Sequence, residues 1–132
     1  MNKPVLLAAV VAAFCAPLAA TAQSPAQRAL FETYNARAQG DAARGKAFFF
    51  ADHRGGKPDT PSCVSCHSTN LAGPGATKAG KPIEPMAASV SPKRFTDAAE
   101  VEKWFRRNCG DVLGRECTPQ EKSDVLAFLL SL

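Results

Sequence analysis

The sequence has little of what metal-rich, membrane and nucleic-acid proteins display. It holds only two histidines, His53 and His67, among 132 residues, so a cluster built on imidazoles lacks ligands. Its 16 basic and 12 acidic side chains leave a formal charge of +4. The basic residues are scattered instead of striped along one face, which argues against nucleic acid. The one long apolar run, Val5–Ala20, is sixteen residues interrupted by Pro17, short of the roughly 20 that span a bilayer. No stretch alternates apolar and polar residues over a useful length, so strands are not expected. Repeats and low-complexity tracts are lacking too.

What is present begins with a leader. Met1-Asn2-Lys3-Pro4 is basic, the apolar run comes next, and Ala20-Thr21-Ala22 is a small-x-small site. That order reads as a secretory signal peptide over residues 1–22. Bulky Phe14 before Cys15 argues against a lipid-modified cysteine. Residues 23–132 are then one domain of 110 residues, expected in the periplasm as a monomer without stable membrane insertion. Lys3 leaves with the leader, and the remaining +3 suits at most a mild preference for an acidic protein partner. Cys63, Cys66, Cys109 and Cys117 remain, an even number in an oxidising compartment.

Three or four helices are expected. Ser24-Pro25-Ala26-Gln27 is a capping box with proline at the first helical position, opening a helix that carries Leu30, Phe31 and Tyr34. Asp41 caps a second over Ala42–Phe50, with Gly45 and Phe49 on one face. Asp97 and Glu100 open a third, in which Val101, Trp104, Phe105 and Asn108 share a face that ends near Asn108. Thr118-Pro119-Gln120-Glu121 opens the fourth, with Val125, Phe128, Leu129 and Leu132 as its apolar stripe. The fold class is all-α. Residues 68–95 hold three glycines and four prolines without helical periodicity; a loop of that length needs something to wrap around.

Cys63-Val64-Ser65-Cys66-His67 supplies it. Two thiols three residues apart reach the two vinyl groups of one porphyrin, and the next imidazole lies beneath the iron. A thioredoxin-type pair would sit in a βαβ context, which is absent. A zinc site would need two more ligands. The motif therefore reads as covalent attachment of one haem c, with His67 as proximal iron ligand. His53 reads as a solvated loop residue.

Asp41–Phe50 with Gly45 and Phe49, and Val125–Leu132, resemble the N- and C-terminal helices of class I cytochromes c. A more specific resemblance covers nearly the whole exported chain. Gly55-Gly56-Lys57-Pro58-Asp59-Thr60-Pro61-Ser62-Cys63, Arg94-Phe95-Thr96-Asp97, Val101-Glu102-Lys103-Trp104, Arg107-Asn108-Cys109, Gly114-Arg115-Glu116-Cys117-Thr118-Pro119 and Glu121-Lys122 occur in order. Together they resemble the oxygen-binding monohaem cytochromes called sphaeroides haem protein, or SHP. The resemblance implies a class I cytochrome c fold around one haem.

The second axial ligand decides between functions. Met86 is the methionine left after the leader, in Ile83-Glu84-Pro85-Met86. A methionine ligand would make a saturated electron carrier, yet two helices still come after it. Asn108 is the rival: iron would partner an amide on an apolar face, whereas a helix C-cap explains the same position. The resemblance implies Asn108, in Arg107-Asn108-Cys109, as ligand to oxidised haem, and it supports a Cys109–Cys117 disulfide that export already favours. Such a bridge is expected to close Gly110–Glu116 as a loop between the third and fourth helices. Met86 departs from the apolar residue usual in that family and alternatively fills a pocket.

An amide oxygen is a hard, weak-field donor, poor for ferrous iron, so reduction is expected to release Asn108 and admit oxygen, nitric oxide or carbon monoxide. The resemblance implies electrons from a redox partner, with a dihaem cytochrome c as candidate. The alternatives are a plain carrier ligated by His67 and Met86, or an enzyme converting nitric oxide with oxygen. Trp104 and Phe105 are expected in the core, with haem packing open to both. Arg106 and Arg107 read either as a solvated face or as part of a donor's docking surface.

Overall fold

Side-chain caps start the helices where local chemistry places them. The computed structural model describes residues 23–132, and the expected leader lies outside them. Helix α1 (Pro25–Asn35) opens on the Ser24–Gln27 capping box, with both reciprocal bonds made at 3.1 and 2.8 Å. Helix α2 (Ala42–Phe50) is capped by Asp41, whose carboxylate accepts from the Arg44 N–H at 2.7 Å. A single turn, α3 (Val64–His67), carries the cysteine–histidine motif. Two short strands come next, β1 (Gly75–Ala76) and β2 (Pro82–Ile83), paired antiparallel with Gly75 opposite Ile83. Helix α4 (Ala98–Leu113) starts at Asp97, and α5 (Pro119–Leu130) opens on the Thr118–Glu121 box. The two-residue ribbon is the one departure from all-α, too short to leave an alternating pattern.

The core forms where α2 crosses α5. Gly45 makes the crossing possible: a Cβ there would lie 1.9 Å from the Asp124 carbonyl oxygen. Phe49 and Phe128 meet across it with ring centroids 6.0 Å apart. At the rim of the crossing the buried Asp124 carboxylate accepts from Arg44 Nε and Nη2 (2.9 and 2.8 Å), from the Asp41 N–H (2.7 Å) and from Gln120 Nε2 (2.9 Å). Helix α1 lays Leu30 and Tyr34 against Leu126 and Leu130. No helix among the described residues is long and apolar enough to cross a membrane.

Helix α4 corrects three expectations. It runs past Asn108 to Leu113 and stops at Gly114, whose φ of +69° is the left-handed conformation that closes helices. Asn108 is therefore inside the helix and does not cap it. The expected Cys109–Cys117 disulfide is present, with Cα atoms 5.6 Å apart. It straddles the last turn of α4 instead of closing a free loop. Trp104, expected in the core, is 45% exposed. At about 100° per residue it falls on the flank of the face centred on Val101, Phe105 and Val112, beside Glu100 and Arg107.

Candidate functional site

Cys63, Cys66 and His67 stand on the one-turn helix α3, held by the His67 N–H donating to the Cys63 carbonyl at 3.1 Å. The two thiols are half-buried and not bonded to each other. Burial, then the neighbouring Cys66, pushes the Cys63 thiol up to about 11, the opposite of a thiol activated for redox exchange. Among the described residues no three His, Cys, Asp or Glu side chains converge on a metal-sized space. The zinc reading thus lacks its ligand set.

The His67 ring is packed against Phe49, with centroids 5.9 Å apart, and its Nδ1 is buried without a hydrogen-bond partner. Burial, and then the positive charge of Arg94, pulls its pKa down to about 4. The imidazole is neutral at physiological pH, the state in which it donates to a metal. Ribbon β1 backs the motif so closely that a Cβ on Gly75 would lie 2.1 Å from the Cys66 carbonyl oxygen. Ser68 then turns the chain away at a φ of +59°. Two unpaired thiols one helical turn apart, with a neutral, half-buried imidazole beside them whose Nδ1 lacks a partner, fit a covalently attached haem.

The other candidates fall apart from one another. His53 Nε2 lies 2.8 Å from the Phe48 carbonyl oxygen, with its ring 4.6 Å from that of Phe48. It is a packed residue, not the solvated one expected. Met86 is 8% exposed and packs with Phe49, Leu71, Val125, Phe128 and Leu129. Its N–H donates to the Leu71 carbonyl at 2.9 Å, four residues beyond His67. Phe105 touches all three buried clusters among the described residues.

Asn108 is half-buried. Helical spacing sets it three residues after Phe105 and four before the buried Val112. Among the described residues its side-chain amide takes part in no hydrogen bond, and helix closure is done by Gly114. The amide is not sealed from solvent, since the buried side-chain polar atoms left without a partner among the described residues are His67 Nδ1 and Ser123 Oγ; it is free of internal partners and open to one outside the chain.

One arrangement is unexpected. The segment leading to Cys63 is docked on the end of α4. A Cβ on Gly56 would lie 2.2 Å from the Asp111 carbonyl oxygen, and one on Gly114 would lie 2.0 Å from that of Gly55. The Asp111 carbonyl accepts from the Lys57 N–H at 2.7 Å and from Thr60 Oγ1 at 3.3 Å. Lys57 Nζ also pairs with the Asp111 carboxylate at 2.7 Å. Gly55-Gly56 and Gly114 are the only local signal, and nothing local says that they meet.

Residues 35–129 match a family model described as a domain of unknown function, DUF1924. The chain is 49% identical over 129 residues to the cytochrome c-type protein SHP of Cereibacter sphaeroides, covering 98% of each. A solved structure of oxidised SHP, described as an oxygen-binding cytochrome c, is 50% identical with a TM-score of 0.77, over 80% of this chain and 96% of that one. The solution structure of Methylophilus methylotrophus cytochrome c'', described as bearing on haem-ligand detachment, is 35% identical with a TM-score of 0.64. It covers 79% of this chain and 91% of that one.

Proposed function

The chain belongs to the SHP family of monohaem c-type cytochromes, built on the cytochrome c fold, and from that premise we propose a redox-gated binder of diatomic gases. The leader over residues 1–22 delivers it to the periplasm. Cys63 and Cys66 carry the haem through thioether bonds, and His67 is the proximal ligand. When bound, the haem supplies an iron that cycles between ferric and ferrous states and takes small gases in the latter.

Asn108 is the gate. Its oxygen is a hard, neutral donor suited to ferric iron, and reduction to the softer ferrous state lets it leave. Oxygen, nitric oxide or carbon monoxide then has a site. The observation that carries this reading is the placement of Asn108 inside α4, on its inward side, relieved of capping by Gly114. The descriptions of the relatives, oxygen binding for SHP and ligand detachment for cytochrome c'', support it. Met86 supports it by contrast: it is occupied in the cluster that abuts His67 through Phe49, where a flexible apolar side chain serves as filler.

Visible spectra of the ferric, ferrous and carbon-monoxide forms test the reading. The ferrous protein should be high-spin and bind carbon monoxide rapidly. Asn108→Ala should bind cyanide faster than the parent in the ferric state, and Met86→Leu should leave every spectrum unchanged. A low-spin, six-coordinate ferrous protein that ignores carbon monoxide would sink the proposal in favour of the plain carrier.

A further inference from the structure

Trp104 is out of place for a large apolar side chain. It is 45% exposed on the outer flank of α4; among the described residues Val90 alone is a comparably exposed large hydrophobic. The ring is held in one orientation, since its Nε1 donates to Glu100 at 2.5 Å. Lys103 Nζ reaches the same carboxylate at 3.2 Å. The Lys103 ammonium and the Arg107 guanidinium each lie 5.3 Å from the indole centroid. Arg106 and Arg107 are both exposed, and among the described residues neither pairs with a carboxylate. Two cations and one carboxylate thus surround a fixed, exposed indole, one helical turn before Asn108, and Arg106 adds a further cation farther round the exposed side of the helix.

This composition has a use. Tryptophan and arginine dominate the energetic centres of protein interfaces, and cations without internal partners steer negatively charged surfaces toward them. We propose that Trp104, Lys103, Arg106 and Arg107 form the docking surface for an acidic, one-electron redox protein. In the encounter the reduced partner loses one electron and the ferric iron gains it, with no bond or proton exchanged between the proteins. The surface deepens the proposed function and rests on it only for the use made of the electron at the haem.

Flash reduction of the ferric holoprotein tests it with two probes, the semiquinone of an acidic flavodoxin and the uncharged semiquinone of free lumiflavin. At low ionic strength the flavodoxin rate should fall about tenfold or more in Arg106→Glu/Arg107→Glu. The parent's flavodoxin rate should also fall as salt is raised. Trp104→Ala should slow flavodoxin severalfold. The lumiflavin rate should stay within about twofold of the parent throughout, since a small neutral reagent has no charge to steer. Equal flavodoxin rates in parent and double variant would overturn the assignment. So would a Trp104→Ala change that slows lumiflavin as much as flavodoxin, which would make the ring part of the haem packing. Carbon-monoxide binding to the reduced samples reports separately on Asn108 release, so failure of either idea is seen on its own.

Discussion

The hydroxyl of Tyr34 on α1 donates a 2.7 Å hydrogen bond to Glu102 on α4. The other oxygen of that carboxylate accepts from Lys122 of α5 at 2.8 Å. One side chain thereby keys the helix that carries Asn108 to the two helices behind it.

Tyr34→Phe should cost about 2 kcal/mol, the value of a hydrogen bond to a charged acceptor, measured by guanidinium unfolding. Burial first, then the Glu102 acceptor, raises the Tyr34 pKa above its ordinary 10.0. Above that pH the unfolded chain releases the proton and the folded one keeps it, so this stabilisation is present below pH 10 and is lost as pH rises further. The Phe variant should show a shallower alkaline loss of stability than the parent.

Asp124 behaves in the opposite sense. Burial alone would raise its pKa, but the hydrogen bonds from Arg44, the Asp41 N–H and Gln120 outweigh it and hold the group below its ordinary 3.8. Its contribution is therefore present above that pH and disappears as pH falls through the folded value. Asp124→Asn should be less stable than the parent by about 2–3 kcal/mol at neutral pH. Unfolding curves repeated toward about pH 3 should show that gap closing.

Two helical glycines separate close approach from mere tolerance. Gly45→Ala places a methyl 1.9 Å from the Asp124 carbonyl oxygen, and overpacking of about 1–3 kcal/mol or more should exceed any gain in helix propensity. Gly110 also lies within a helix, but a Cβ there meets nothing within 4 Å. Gly110→Ala should stabilise by about 0.5–1 kcal/mol. Thermal melts of the two variants should therefore move in opposite directions.

Removing the disulfide should cost stability without undoing the gate. Cys109→Ala/Cys117→Ala is expected to lose about 2–3 kcal/mol, the lower range for a short closed segment. The docked Gly55–Thr60 segment still holds the end of α4. Ferric spectra and ferrous carbon-monoxide binding should match the parent, while the guanidinium midpoint falls.

The parts of this protein legible in its sequence are those decided over four or five residues. Ser24 with Gln27 and Thr118 with Glu121 act within one turn, so the helix starts lie where the capping boxes put them. The end of α4 is less legible: its apolar face points only as far as Asn108, and the stop at Gly114 comes after one further turn and a half. Trp104 illustrates a finer limit: helical spacing puts it near a face but not within it. The docking of Gly56 on Asp111 joins residues far apart in the chain, and no local pattern announces it. At the site, the chemistry of Cys63, Cys66 and His67 is legible as a motif. That Asn108 is excused from capping is visible only once the helix is seen whole.

The fastening of Gly55–Thr60 to Asp111 bears on how far the proposed gate could open. Asn108 lies one turn before Asp111, and that turn is bound to the segment leading into Cys63 on one side and bridged to Cys117 on another. In the proposed gate, a helix anchored so near Asn108 would keep its place when the amide let go, and the side chain alone would turn. The room vacated would then be about that of one amide group, enough for a molecule of two atoms and too little for a ring. Glycines remote from the haem motif in function would thus set a size limit on what enters.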